Sequence, residues 1–347
     1  MKRAFFDISS ALGFDRLFTF VNRHRPIVLG FHGVSAETPG SIHNYEGSHL
    51  HRPIFSRLME YLVDRYRVVS LEEIVDWLEG VGGLPERAVV VTFDDGYRNV
   101  LTQAAPLLSE LGAPATVFVT TDFVVENKLL WPDRVLGALA ATSRTSLTVP
   151  RIGGKSGLPI GDDTEKIHAS DQIRSICKSL SDDDRKVLVD DIVDELGVDE
   201  AMIQHACKDY APLSSDDLRK LPTYGITVGS HTCSHPVLAR CPIERMADEL
   251  RRSKRIIEQI TGAPCTSFAY PNGGPGDFND QTRREVVGAG YRCAVTTVKS
   301  RLSARQDKFE IPRYVLTHNE ITLNEFSVEV SGYPTFLRGI KRKISLQ

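Results

Sequence analysis

The feature that most limits what this chain can fold into is a run of apolar, largely β-branched residues, Ala88-Val89-Val90-Val91-Thr92-Phe93, that ends abruptly in Asp94-Asp95-Gly96. A continuous run with no polar alternation is what a strand covered on both faces needs. Such strands belong to parallel sheets wrapped by helices, so this segment alone argues for an α/β architecture. The same signal recurs. Pro26 to Phe31 reads as a buried strand closing at His32-Gly33, and Arg67 to Ser70 as a short one. Ala115 to Val119, Ile226 to Gly229, Ser267 to Ala269 and Arg292 to Thr297 follow. Helical periodicity fills the intervals at 53–66, 71–78, 99–111, 242–261 and 279–289. Strand and helix in alternation predict βαβ units, closed as a barrel or open as a sheet. In both, ligands bind at the carboxyl ends of the strands.

Three stretches depart from this rhythm, and they set the domain reading. Residues 1–25 form an N-terminal helical segment, in which Phe5, Phe6, Leu12, Phe14, Leu17, Phe18 and Val21 define one face of an amphipathic helix. Residues 26–330 form the α/β domain, with a mostly helical insertion at about 126–212. Gly and Ser cluster there around Gly153 to Gly161, and an acidic, helix-like stretch runs from Asp182 to Leu196. Residues 331–347 form a basic C-terminal tail containing Arg338, Lys341, Arg342 and Lys343. The N-terminal helix either docks on the domain, the preferred reading, or lies on an acidic membrane surface together with the basic tail.

The net charge of -3 leaves no nucleic-acid footprint. No stretch approaches the roughly 18 uncharged apolar residues of a membrane span. Asp7, Asp15 and Arg16 interrupt the apolar run that a secretion signal would need. The six cysteines lack C-x-x-C spacing, so they are expected to be reduced thiols in a cytoplasmic protein, with peripheral contact at the inner membrane face as the alternative.

The strand-end rule gathers His32, Asp94, Asp95, His231 and the Tyr270-Pro271 loop at one mouth, although they are far apart in sequence. A turn uses Asp-Gly, which explains one aspartate after the strand but not two adjacent ones at the edge of a dry core. In His231-Thr232-Cys233-Ser234-His235 the i and i+4 spacing places both imidazoles on one face if the segment is a helical turn. One carboxylate and two histidines make three protein ligands for a divalent ion and leave a position open, as catalytic zinc sites do. The other carboxylate is then free to act as a base. Amide or ester hydrolysis is the reaction class this set suggests. Cys233 is a weaker ligand candidate.

Thr92-Phe93-Asp94-Asp95-Gly96-Tyr97 resembles the first motif of the polysaccharide deacetylase family, carbohydrate esterase family 4. Ser230-His231-Thr232-Cys233-Ser234-His235-Pro236 is similar to its second motif. Phe268-Ala269-Tyr270-Pro271-Asn272-Gly273 is similar to the third motif of the branch that reads F-A-Y-P-x-G. The resemblance implies an irregular (β/α) barrel of the NodB-homology type, with a mostly helical insertion, that removes N-acetyl groups from amino sugars in a polysaccharide or its precursor. It implies Asp94 as catalytic base and Asp95, His231 and His235 as ligands of one divalent ion. Zn²⁺ leads, and Co²⁺, Ni²⁺ or Mn²⁺ also suit the donors. The backbone N–H of Tyr97 is expected at the oxyanion. Tyr270, Pro271, Asn272 and Gly273 are expected on the substrate side, with Trp131 as a further aromatic candidate.

The chain departs from the pattern at Ala269, where many members carry an arginine that orients the base; Arg313 is the expected replacement. For the acid, Phe31-His32-Gly33-Val34 resembles an element of the members that process exopolysaccharide adhesins, and His318 resembles a late-strand histidine. His32 is preferred. Competing readings are a related O-acetyl esterase or non-sugar amidase, and a carbohydrate-binding domain without catalysis, which the presence of Asp94 argues against.

Overall fold

The structure is a computed structural model that describes residues 2–36, 42–149, 157–317 and 320–344. Helices α1 (Lys2–Ala11) and α2 (Phe14–Val21) precede strand β1 (Ile27–Phe31). A small parallel pair, β2 (Gly33–Ser35) and β3 (His49–His51), leads to α3 (Arg52–Arg65), β4 (Arg67–Val68), α4 (Leu71–Leu78), β5 (Ala88–Phe93), α5 (Ala105–Glu110) and β6 (Ala115–Val119). Next come α6 (Thr121–Glu126), α7 (Trp131–Ala141), the antiparallel pair β7 (Ser146–Leu147) and β8 (Leu158–Pro159), α8 (Asp163–Ser179), α9 (Asp182–Leu196), α10 (Glu200–Ala206) and α11 (Ser215–Lys220). The main sheet resumes with β9 (Ile226–Ser230), α12 (Ile243–Thr261), β10 (Ser267–Ala269), α13 (Asp280–Gly288), β11 (Cys293–Val295) and β12 (Tyr314–Val315), and α14 (Leu323–Ser331) and α15 (Tyr333–Ile344) follow.

The main sheet runs β11-β10-β9-β6-β5-β1-β12, and β4 shares one edge of β5 with β6. Every pairing in it is parallel. Its two ends almost meet: Ile311, just before β12, bridges to Val295 of β11. The result is an irregular (β/α) barrel, the architecture expected from the sequence. Side chains alternate across the wall. Leu29, Phe31, Val91 and Phe93 pack outward with Phe55, Leu58, Met59 and Leu62 of α3. Val28, Val90, Phe118, Ala269, Val295 and Ile311 form an inner cluster. Register then fixes the mouth. Phe31 pairs with Phe93, and the Asp94 N–H donates to Phe31 O at 2.8 Å, so His32 and Asp94 leave the barrel side by side. Val119 pairs with Ser230, and the His231 N–H donates to Val119 O at 2.9 Å.

Helices α7 to α10 build a second apolar cluster, centred on Leu139, Ile173, Ile192 and Ile203, which also takes in Tyr97 and Phe123 from the barrel. Each of α8, α9 and α10 starts on a side chain that caps it: Asp162 accepts from Glu165 N–H, Ser181 from Asp184 N–H and Asp199 from Met202 N–H.

Three local expectations are corrected. The helix expected over 99–111 opens as a π turn at 100–104 and becomes α-helical only at α5. Pro106 at the start of α5 has no N–H to donate back, which breaks the regular ladder there. The N-terminal segment is not one amphipathic helix, because Gly13 takes a left-handed φ of 76° and splits it in two. Its seven apolar residues do not share a face: Phe6 is buried, while Leu12, Leu17 and Val21 are exposed. Residues 333–344 of the expected basic tail are helical, as α15.

The inner cluster has little slack. A Cβ on Gly229 of β9 would meet Phe118 Cδ1 at 2.5 Å and Ser267 Oγ at 2.6 Å. Gly229→Ala is therefore expected to destabilise the fold by about 1–3 kcal/mol, the usual cost of overpacking, measured as a lower urea midpoint with unchanged slope.

Candidate active site

Arg313 sits fully buried inside the barrel and points toward the mouth. Its guanidinium grips Asp94 with two bonds, Nη1 to Oδ1 at 2.8 Å and Nη2 to Oδ2 at 2.7 Å. The remaining donors are also used: Nε reaches Thr296 O at 3.0 Å, and Nη1 reaches Thr92 Oγ1 at 3.0 Å. Phe118 lies 5.7 Å below the guanidinium carbon. Burial pushes the Asp94 pKa up, but Arg313, helped by His231 and His32, outweighs it and holds the carboxyl well below the ordinary range. Asp94 is thus ionised, oriented and anchored. Gly30 makes room for this arrangement, since a Cβ there would meet Val315 Cγ2 at 2.9 Å and Arg313 Nη1 at 3.5 Å.

Asp95 turns the other way, with a left-handed φ of 72°. Its Oδ1 lies 3.6 Å from His231 Nε2 and 3.6 Å from His235 Nε2. One ligand atom from each of the three residues lies within 4.8 Å of the others. His231 Nδ1 is engaged by the carbonyl of Ala269 at 2.7 Å, which directs Nε2 at the shared point. The two histidine rings are 4.8 Å apart. They are not brought together by a helical turn, as the i and i+4 spacing suggested. The segment is a bent loop in which Thr232 and His235 have φ of 70° and 57°. Such values are costly for non-glycine residues and need outside support. Glu249 of α12 supplies it, accepting from the N–H groups of Cys233 (2.8 Å) and Ser234 (3.0 Å) and from Ser234 Oγ (2.7 Å). Cys233 Sγ turns to the Glu249 carbonyl at 3.6 Å, away from the cluster.

The three groups fit a divalent cation. Asp95 Oδ1 is buried with no hydrogen-bond partner. Burial, with Asp94 and Asp133 near it, pushes the Asp95 pKa far up. Burial lowers His231 to about 4 and His235 well below its usual value, so both imidazoles are neutral and have lone pairs to offer. A buried carboxyl facing two neutral imidazoles is an arrangement that a divalent cation completes.

The sequence profile of the polysaccharide deacetylase family matches residues 82–148 and 190–294 of this chain. The chain belongs to the polysaccharide deacetylase family. The matched segments hold Asp94, Asp95, His231 and His235 and flank residues 149–189 of the helical insertion. Among curated relatives, the polysaccharide deacetylase-type protein YxkH of Bacillus subtilis is 25% identical over 101 residues, 29% of this chain and 35% of that protein. The poly-β-1,6-N-acetyl-D-glucosamine N-deacetylase of Escherichia coli K12 is 44% identical over 50 residues, 14% of this chain and 7% of that protein. The chain therefore matches only about a third, or less, of the length of these relatives. Among solved structures, a de-N-acetylase from Aggregatibacter actinomycetemcomitans superposes with a TM-score of 0.56 at 17% identity, covering 88% of this chain and 99% of that one. At that identity the likeness is one of fold.

In this chain the other expected site residues divide. Asn272 (φ 59°) has a buried Nδ2 without a partner, at the tight turn in which the Gly273 N–H donates to Pro271 O. Tyr97 bridges to Pro212 through its neighbours, Arg98 N–H to Ala211 O and Leu213 N–H to Gly96 O, so its own N–H stays outside that ladder. The aromatic side chains of Tyr97 and Tyr270, by contrast, cannot stack on a sugar. Tyr270 is 1% exposed, stacked on Phe278 at 4.5 Å and bonded to Phe309 O. Tyr97 is 4% exposed and donates to Asp133 Oδ2 at 2.7 Å. Trp131 lines a cavity of about 550 Å³ that also reaches Phe123, Lys128, Arg185 and Ser234. His318 lies outside the described residues.

His32 stands beside Asp94 at the mouth, and its buried Nδ1 has no partner. Burial lowers its pKa, outweighing Asp94, which favours the charged form. Two residues escaped the sequence reading. His49 packs between Tyr97 and Tyr210, with ring centroids 4.5 Å from each, and its Nδ1 contacts Asn99 Nδ2 at 2.6 Å. Asp133 on α7 is a buried carboxyl that burial lifts to about 7. The His49-Leu50-His51 repeat was the only hint of the first, and nothing in the sequence marked the second.

Two outcomes follow from these charges. Arg313→Met would leave the Asp94 charge buried and unpaired, costing about 3–5 kcal/mol; adding Asp94→Asn should recover part of that loss, and a urea-denaturation cycle over the four proteins measures it. Burial lowers His49 from 6.5 to about 3, so in this window the unfolded chain binds a proton that the folded one does not. The His49 contribution to stability is therefore complete above 6.5 and is lost as the pH falls toward 3. His49→Gln should reduce proton uptake on unfolding at pH ~5 by nearly one, measured by potentiometry of the metal-free protein.

Proposed function

We propose that this chain hydrolyses the N-acetyl groups of amino sugars in a polysaccharide or its precursor, releasing acetate, with one divalent ion held by Asp95, His231 and His235. The observation that carries this reading is the pair of adjacent aspartates with opposite fates. Asp94 is locked as a free base by Arg313, while Asp95 faces two neutral imidazoles. A site that only held a cation would have no use for the first of these. Amino-sugar amides are favoured over other acyl bonds by the likeness to the E. coli enzyme named for poly-β-1,6-N-acetyl-D-glucosamine, and by the de-N-acetylase of the same fold.

When bound, the divalent ion would acidify a water molecule and polarise the acetyl carbonyl. Asp94 accepts the proton of the attacking water. Its orientation is fixed by the two-pronged contact with Arg313, and each carboxylate oxygen keeps a further lone pair for the water. The Tyr97 N–H is the donor assigned to the developing oxyanion. The departing nitrogen needs a proton, and His32 is assigned to deliver it. Burial keeps His32 neutral at rest, so it receives that proton from the Asp94 side during turnover rather than arriving with it. Water's two hydrogens thus end on the amine and the acetic acid.

Acetate released from a chitin or poly-N-acetylglucosamine oligomer is the assay. Chelator should abolish it, and the His231→Ala, His235→Ala double variant should bind no metal by elemental analysis. Asp94→Asn should keep the metal and lose ~10²–10⁴ of the rate, the usual share of a general base. Release from O-acetylated but not N-acetylated sugars would overturn the amide assignment.

A further inference from the structure

The helices that flank the barrel in sequence, α1, α2 and α15, pack together through their aromatic residues. Tyr333 stacks on Phe14 at 4.8 Å and on Phe5 at 6.0 Å, and Phe336 contacts Phe18 at 5.0 Å. They dock on α14 and on the end of the barrel where the strands begin. Asn22 Nδ2 donates to Ser331 O at 2.9 Å, Arg301 Nη1 to Arg25 O at 2.6 Å, and the Leu302 N–H to Pro26 O at 3.0 Å.

α2 is built inside out. Its buried side chains are Asp15 and Thr19, and Thr19 Oγ1 bonds Tyr66 Oη at 3.1 Å. Its apolar Leu17, Phe20 and Val21 face solvent, 52%, 55% and 59% exposed. On α1, Ile8 (59%) and the following Leu12 (68%) continue the same pattern, and Phe336 and Ile340 of α15 join it. Half of the large apolar residues exposed on the described surface thus come from these three helices and the turn between α1 and α2. Such a concentration of exposed apolar side chains on neighbouring helices marks an interaction site.

The charge around this surface indicates what covers it. Residues 1–25 and 331–347 carry nine Lys and Arg against two Asp, although the whole chain is net -3. Arg3, Arg16 and Arg338 on these helices are exposed, while Asp7 is the one exposed acid among them. Exposed apolar side chains and exposed arginines on the same helices, each too short to cross a bilayer, match a surface that enters the boundary layer of an anionic membrane.

We propose that α1, α2 and α15 form a docking face for an anionic lipid bilayer. Leu17, Phe20, Ile8, Leu12 and Phe336 enter the acyl boundary, and the arginines sit at the headgroups. The face lies on the strand-start end of the barrel and the candidate active site on the other, so the site opens away from the docked surface.

The full chain should cosediment with phosphatidylcholine–phosphatidylglycerol vesicles but not with phosphatidylcholine alone, and less so as salt rises. The Ile8→Gln, Leu17→Gln, Phe20→Gln triple variant should bind at least tenfold more weakly with an unchanged unfolding midpoint. Arg16→Gln should weaken binding roughly fivefold, the effect of about one kcal/mol per surface cation. Should the triple variant fail to fold, Leu12→Gln at the most exposed position makes the same comparison. The proposal is overturned by a wild type that ignores anionic vesicles or by a folded variant that binds them equally well. A dimer in light scattering that the triple variant dissolves, without vesicle binding, would assign the face to a second copy of the chain instead.

Discussion

Arg313 and Asp94 hold each other inside the barrel, and most of the site depends on that contact. A lone carboxylate or guanidinium at this depth would be untenable, because desolvation of either costs several kcal/mol. Paired with two-pronged geometry, and with the remaining guanidinium donors taken up by Thr296 O and Thr92 Oγ1, both charges become tolerable. The neighbours are arranged around them. Gly30 leaves room for the arginine, Phe118 lies beneath it, and Gly229 leaves room for Phe118.

The metal-type cluster obeys a different logic. Asp95, Thr232 and His235 all adopt left-handed backbone that their side chains disfavour. The strain is held by contacts that have no other evident use. Glu249 clamps the loop by its backbone, and the Ala269 carbonyl fixes the ring of His231. Rigid strands therefore deliver the residues to the mouth, and strained loops aim them. This division lets two adjacent aspartates point at different tasks.

Much of the architecture was legible in the sequence because continuous β-branched strands and helical periodicity are local signals. The run 88–93 is a strand over the residues expected, and its closing aspartates stand where a strand-end rule puts them. What was not legible depended on long-range packing. Period alone suggested that His231 and His235 meet on a helix, whereas a loop folded around Glu249 joins them. An aromatic next to a motif looked like a sugar platform, yet Tyr270 fills the core behind the loop. Asp133 carries no local signature, since its role comes from burial under an insertion helix beside Tyr97. The neutral state of His32 was hidden for a similar reason: a neighbour can be guessed from sequence, but the depth of desolvation cannot.

Arg313 is separated from Asp94, the base of the proposed reaction, by 219 positions along the chain. In relatives with an arginine in the third motif, the contact would be made by a segment completed earlier. Here it waits for β12, which must add to the edge of β1, the first strand made. Closing so long a loop is entropically slow, and it comes late in synthesis. Until that pairing is made, Asp94 has no counter-ion and no fixed orientation. The orientation of Asp94 is in this way tied to completion of the barrel, and the last strand of the sheet serves the end of β5 as much as it serves the wall.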